Sequence, residues 1–254
     1  EWNTDMTFST NKNKLVTLSN DLYKPQNSYI TSGDAQIPIY GPTHRLDVGG
    51  AIGNFWGYKV IDIDSDGKWI YESPETGKAV AYDDFAKVDE NKMIIGNGLP
   101  KFYLSWNNSI RYKNFDFAVT MRGAFGYEIL NFERMYYENT KTHQLYNRLK
   151  TAYDPIFGKA VLNNDLDLEY NSYYIEKGDH WKIDNITLGY TFNTKNWKYI
   201  DRLRIYASTL NTFVFTKYKG TDPEVSSTGL APGNDLPNKY PTVRTFTFGL
   251  NISF

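Results

Sequence analysis

Val243-Arg-Thr-Phe-Thr-Phe-Gly-Leu-Asn-Ile-Ser-Phe254 is the stretch on which the fold is decided. Phe246, Phe248, Leu250, Ile252 and Phe254 occupy the even positions, and Thr245, Thr247, Gly249, Asn251 and Ser253 the odd ones. A period of two puts one set on each face of a β-strand. Two environments want such a strand. A soluble sandwich buries the apolar face in a core, whereas an outer-membrane barrel turns it to lipid and keeps the polar face toward a wet lumen. About 9–11 residues span a bilayer as a tilted strand, and this segment has that length.

Composition narrows the choice. Aromatics make up 17% of the 254 residues, with 21 Tyr, 15 Phe and 6 Trp, yet the mean hydropathy is only −0.55. A lipid-facing barrel produces this combination, because half of each strand is polar and aromatic residues gather at both interfaces. A carbohydrate-binding β-protein produces it too. The sequence contains no run of about 18 apolar residues, which excludes membrane-spanning helices. A net charge of −1 without a basic run gives no nucleic-acid footprint. Cysteine is absent, so there is no disulfide framework. No signal peptide is present, and the chain opens at Glu1-Trp2 in mid-strand, so the start of the protein is expected to lie elsewhere.

Working back from the last strand, the same alternation recurs. Seven strands are expected: Trp2–Phe8, Gly53–Ile63, Phe102–Tyr112, Phe115–Phe125, Trp181–Phe192, Leu203 to Phe213 or Phe215, and the final one. Phe102–Tyr112 and Phe115–Phe125 are joined by Lys113-Asn114, the spacing of a two-residue hairpin. Asp116 and Arg122 fall in mid-strand on the polar face, which suits a water-filled or plugged lumen better than a dry core. Trp181–Phe192 changes phase, which places a bulge near Asp184-Asn185. A helical piece is expected around Phe132–Tyr153, including Tyr136, Tyr137, Leu145 and Leu149. Short turns then share one end of the strands, while the long loops 64–100, 127–179 and 217–242 share the other, as in outer-membrane barrels. The excursion 11–52 breaks that rule. Seven strands cannot close a barrel, and an open edge in lipid leaves backbone groups unpaired, so further strands are needed.

Asp62, Asp64 and Asp66, followed by Gly67, resemble the start of a calcium loop, but Ser73 stands where a closing Glu would be. A tight polar turn reads equally well, and calcium binding is left open. His44, His143 and His180 have no nucleophile or metal spacing around them and are expected to be solvated loop residues. No catalytic residue, metal site or cofactor is expected.

Three segments carry a family resemblance: Asn185-Ile-Thr-Leu-Gly-Tyr-Thr-Phe192, Leu210–Val225 and Tyr240–Phe254. They resemble the carboxy-terminal signature of SusC/RagA-type TonB-dependent transporters. Ile52–Tyr58, Ile95–Phe102 and Tyr112–Asp116 resemble the same family in the same order. The resemblance implies an all-β fold: about seven strands of a 22-stranded transmembrane antiparallel barrel, with long extracellular loops and a little helix. Residues 1–254 would be the carboxy-terminal part of that barrel, the plug domain lying outside the chain. It further implies uptake of an oligosaccharide or peptide across the outer membrane of a Bacteroidota-type bacterium. The implied partners are the remaining strands and plug, a SusD-like surface lipoprotein, TonB, the barrel-assembly machinery and the lipid bilayer. Phe246, Phe248, Leu250, Ile252 and Phe254 would form the assembly signal. Trp69, Tyr71, Tyr136, Tyr137 and Tyr173, as loop aromatics, become candidates for substrate contact, and Arg111, Arg122 and Arg204 for contact with the plug. A passive porin or adhesin barrel and a soluble carbohydrate-binding sandwich stand as alternatives.

Overall fold

The computed structural model describes residues 1–20, 22–141, 147–237 and 239–254. Six long strands form its wall: β1 (Trp2–Thr10), β2 (Phe102–Tyr112), β3 (Phe115–Phe125), β4 (His180–Thr191), β5 (Arg202–Thr216) and β6 (Thr245–Ser253). They lie side by side in chain order in one sheet, every neighbouring pair antiparallel, with β1 and β6 at the two open edges. The hairpin turn between β2 and β3 is the two residues Lys113-Asn114, Lys113 adopting a φ of 53°. The expected bulge is present: Thr120 pairs with Asn185 but Met121 with Ile183, leaving Asp184 as the extra residue.

One expected strand lies elsewhere. Gly53–Ile63 does not join the wall but divides into Asn54–Gly57 and Val60–Ile63, which belong to two small separate sheets. Its first half is covered on both faces, Asn54, Phe55 and Gly57 all being buried, and in its second half Val60 and Ile63 are buried while Ile61 is exposed. The correction removes the anomaly of segment 11–52. Residues 11–101 become a single connection from β1 to β2, so all three long connections (11–101, 126–179 and 217–244) leave the same end of the wall. The two short ones, 113–114 and 192–201, share the other end.

The long connections fold together into a cap with its own core. Phe55, Trp69, Tyr71, Phe85, Leu130, Phe132, Met135 and Tyr174 pack in one buried cluster drawn from the first two connections. Most buried apolar side chains lie here and not under the wall. The helical content is smaller than the sequence suggests. Among the described residues there is a single α-helix, α1 (Phe132–Tyr137), capped by the Asn131 side chain, which accepts from Arg134 N, and a 3₁₀ turn follows at Lys150–Tyr153. Leu145 lies outside the described residues. The third connection is tied to the second through Tyr127, whose hydroxyl donates to the Pro223 carbonyl at 2.8 Å, and to the first through the His44 ring, 2.9 Å from the Pro232 carbonyl.

Candidate functional site

Residues directly opposite in an antiparallel pair share a face, so the register sorts every wall side chain. One row runs Trp2, Ile110, Phe117, Leu188, Ala207, Phe248 across all six strands. A second runs Tyr112, Phe115, Tyr190, Ile205, Leu250. Among the described residues no second sheet covers this face. Phe246, Phe248 and Leu250 are 64%, 82% and 58% exposed, and Ile252 and Phe254 are exposed as well. A contiguous apolar surface of this extent has no place in water. It suits a bilayer.

Aromatic residues concentrate at both margins of this face. At the short-turn end, Phe115 and Tyr190 meet at 4.8 Å between ring centroids, and Tyr190 and Phe192 at 4.9 Å. At the cap end, Phe8, Phe102, Phe125 and Trp181 form a chain of rings, with Phe102 and Phe125 stacked at 5.0 Å. From Tyr112 to Phe102 is about 33 Å along the strand. A tilt of about 40° reduces that to about 25 Å of membrane depth, the height of the apolar band in outer-membrane barrels.

The opposite face is polar, and several of its charged side chains pair across the strands. Arg204 of β5 reaches over β4 to Asp116 of β3, its Nε 2.9 Å from Oδ1. The residue crossed is Gly189, where a Cβ would stand 2.4 Å from the guanidinium. Gly249 plays the same part under Tyr206, whose ring would be 2.1 Å from a Cβ there. Nearer the cap, Glu224 of the third long connection turns onto this face and pairs with both Arg122 and Lys182, its Oε2 lying 2.5 Å from Lys182 Nζ. Asp184, the bulged residue, completes the cluster at 3.3 Å from Arg122 and 3.5 Å from Lys182. Lys182 is buried, and two carboxylates make its charge tolerable there. Nothing in the local sequence announces this arrangement, because Glu224 lies 42 residues from Lys182. Arg122 and Arg204 are thus occupied within the chain, while Arg111 remains mostly exposed, 3.9 Å from Glu1.

The five loop aromatics separate by burial. Trp69 and Tyr71 are cap core, 2% and 0% exposed. Trp69 packs on Tyr173 and Tyr174, and Tyr71 stacks on Phe85 at 4.2 Å. The Tyr71 hydroxyl donates to Glu169 at 2.8 Å, and burial together with that carboxylate raises its pKa well above the ordinary phenol value. Neither ring presents a surface to a ligand. Their rings are amphipathic, so sequence cannot separate a packed loop aromatic from a presented one. Tyr136, Tyr137 and Tyr173 are half-buried, and Tyr173 lies under the Arg134 guanidinium at 4.8 Å.

The acidic turn is a turn. Asp64 Oδ1 accepts from the amides of Asp66 and Lys68 at 2.9 and 2.8 Å, while Asp62 pairs with Lys159, so the carboxylates diverge. Among the described residues no three metal-ligating side chains converge. The histidines need a correction: His44 and His180 are buried, not solvated. His44 sits 2.8 Å from Thr43 Oγ1 as well as against Pro232, and burial lowers its pKa to about 4. His180 lies 3.2 Å from the Tyr127 hydroxyl. His143 falls outside the described residues.

No protein-family model matches the chain. Among curated proteins, TonB-dependent receptor P3 of Formosa agariphila is 30% identical over 285 residues, covering all of this chain and 27% of the relative. TonB-dependent receptor SusC of Bacteroides thetaiotaomicron is 29% identical over 266 residues, covering all of the chain and 24% of that protein. The chain thus spans about a quarter of the length of these relatives. Among solved structures, the RagAB peptide importer in its closed-closed state superposes with a TM-score of 0.77 at 18% identity, covering the whole chain and 27% of the matched one. Its open-open state gives 0.76 at 19% identity, with the same coverage. With full-length coverage by such relatives and a wall of the matching fold, the chain belongs to the SusC/RagA-type TonB-dependent transporters.

Proposed function

We propose that this chain supplies wall, lumen lining and surface cap to a TonB-dependent importer of the outer membrane. The observation that carries the reading is the open six-stranded sheet, bare and apolar on one face and polar on the other, with every long connection at one end. An uncovered sheet edge in lipid leaves backbone groups unsatisfied, at several kcal/mol each. β1 and β6 therefore pair with further strands of the same transporter. A plug fills the enclosed lumen, with the exposed Arg111 available to it, and TonB acts on that plug. The cap faces the outside and docks a SusD-like lipoprotein. The cargo is an oligosaccharide or a peptide, the latter being what the RagAB importer is named for. Tyr136, Tyr137 and Tyr173 are the loop aromatics with surface left for cargo, while Trp69 and Tyr71 hold the cap that presents them. Phe246, Phe248, Leu250, Ile252 and Phe254 are read by the barrel-assembly machinery before they meet lipid.

Affinity purification from detergent-solubilised outer membranes tests this reading. A surface lipoprotein is expected to copurify in stoichiometric amount, and deletion of TonB is expected to abolish cargo uptake. Recovery of the protein from the aqueous fraction without detergent would contradict the membrane reading.

A further inference from the structure

Resting on the membrane reading, we propose that the bare apolar face carries a site for an anionic glycerophospholipid at its short-turn end. An acyl chain lies along β5, and the headgroup phosphate sits among the lysines of the two short turns. The face is not evenly filled. Ala207 stands between Leu188 and Phe248 in its row, and one row nearer the cap Thr209 stands between Ile186 and Phe246. Two successive rows thus have their smallest side chain on β5, with larger ones on both flanking strands. Around Ala207 this leaves a trough of about 550 Å³, walled by Leu188, Tyr190, Ile205, Phe248 and Leu250. The Thr209 hydroxyl lies 2.7 Å from Thr212 Oγ1, so it has a partner without water.

The charges stand where a headgroup would be. Phe117 shares the Ala207 row and is three residues from Asn114, which sets the trough about 10 Å along the strand from the turns. That separation is the one between a lipid phosphate and the upper part of its acyl chains. The turns Lys113-Asn114 and 192–201 are neighbours, the Thr191 amide donating to the Asn114 carbonyl at 2.8 Å. They contain Lys113, Lys195 and Lys198 against one carboxylate, Asp201. All three lysines are exposed, and none has an ion-pair partner among the described residues. Lys113 Nζ lies 5.4 Å from the ring centroid of Tyr112, a member of the apolar rows, and Trp197 packs on Phe192 at the same margin.

One occupant has both parts in the right order. Basic residues at a membrane surface attract anionic lipids, and aromatic rings settle at the headgroup level. A trough closed by apolar side chains asks for hydrocarbon, and unpaired ammonium groups ask for a phosphate. A zwitterionic lipid brings its own ammonium group into the cluster and loses part of that attraction. An anionic one does not.

The full transporter, purified with its outer-membrane partners in mild detergent and stripped of lipid, would be titrated with dioleoylphosphatidylglycerol and separately with dioleoylphosphatidylethanolamine. Bound lipid is counted by native mass spectrometry. Wild type is expected to prefer phosphatidylglycerol. A lysine near an anionic lipid contributes about fivefold, so Lys113→Gln is expected to weaken phosphatidylglycerol binding about fivefold and Lys113→Gln with Lys198→Gln about 25-fold. Phosphatidylethanolamine binding changes little in these variants. Ala207→Leu fills the trough and is expected to weaken both lipids by about fourfold or more, the loss of at least one buried methylene, with thermal stability unchanged. Equal affinity for the two lipids in wild type, no effect of Ala207→Leu, or glycerol phosphate competing as strongly as the lipid would overturn the site. So would unchanged phosphatidylglycerol binding in Lys113→Gln, the result expected if a plug carboxylate meets that amine where it also borders the lumen. The membrane reading is judged separately: recovery of the protein without detergent would sink it, whereas a detergent-requiring protein indifferent to phosphatidylglycerol sinks the site alone.

Discussion

Lys182 is the residue most dependent on distant sequence. It is buried on the lumen face and held by Glu224 at 2.5 Å, with Asp184 farther away at 3.5 Å. Removing one partner of a buried pair is more costly than removing both, because a charge is left stranded. Glu224→Gln is expected to destabilise by about 3 kcal/mol, and Lys182→Met combined with Glu224→Gln by much less. Thermal unfolding in detergent measures both, and equal losses in the single and double variants would contradict the pairing. His44 gives a pH dependence. Its folded pKa of about 4 lies below the ordinary 6.5, so the unfolded chain binds the proton more readily. The stability it contributes is complete above about pH 6.5 and is lost as pH falls toward 4, by up to about 3 kcal/mol. Cap melting followed at pH 7.5 and 4.5 is expected to show this loss, with a smaller one in His44→Asn. Neither residue was legible in sequence. A lone histidine or lysine among polar neighbours looks solvated until its burial is known.

At the scale of the strand, sequence was a good guide where one face is bare and a poor one where both are covered. The alternation in β1, β2, β3, β5 and β6 survives because lipid and lumen make opposite demands on successive residues. Even the phase change at Asp184 could be seen, since a bulge moves all later side chains to the other face. Gly53–Ile63 has no such contrast, and its aromatic content suggested a wall strand where the cap has two short ones. The two faces of β4 give a direct comparison. Leu188 is in the bare apolar row, and Thr187 lies opposite Ala118 and Ser208 on the polar face. Leu188→Arg is expected to cost about 2–4 kcal/mol and lower the yield of assembled barrel, while Thr187→Arg costs little. Heat-modifiable migration on gels and urea unfolding in vesicles would read the difference. Similar losses at the two positions would contradict the assignment of faces.

At the scale of the molecule, wall and cap are held by different physics. The wall has a continuous hydrogen-bonded ladder and little apolar burial of its own, whereas the cap has a packed aromatic core. Trp69→Ala opens that core, at a cost of about 3–5 kcal/mol. It is expected to make residues 44–100 sensitive to limited proteolysis while the wall stays resistant. Digestion of wall and cap together would show that they are one cooperative unit. The cap was the least legible part of the sequence, because short strands packed on both sides lose the period of two and their pairing is set by distant contacts. Its placement at one end also shows that all three long connections obey one rule. The central claim is that Phe117, Leu188 and Ala207 face acyl chains while Ala118, Thr187 and Ser208 face the lumen. The chain contains no cysteine, so single cysteines at these six positions can be spin-labelled in the reconstituted transporter without background from it. Collision with lipid-soluble oxygen is expected to be high at the first three and low at the other three, with a water-soluble nickel reagent showing no access to the first three. Uniform accessibility along each strand, or oxygen access at Ala118, Thr187 and Ser208 instead, would contradict the account.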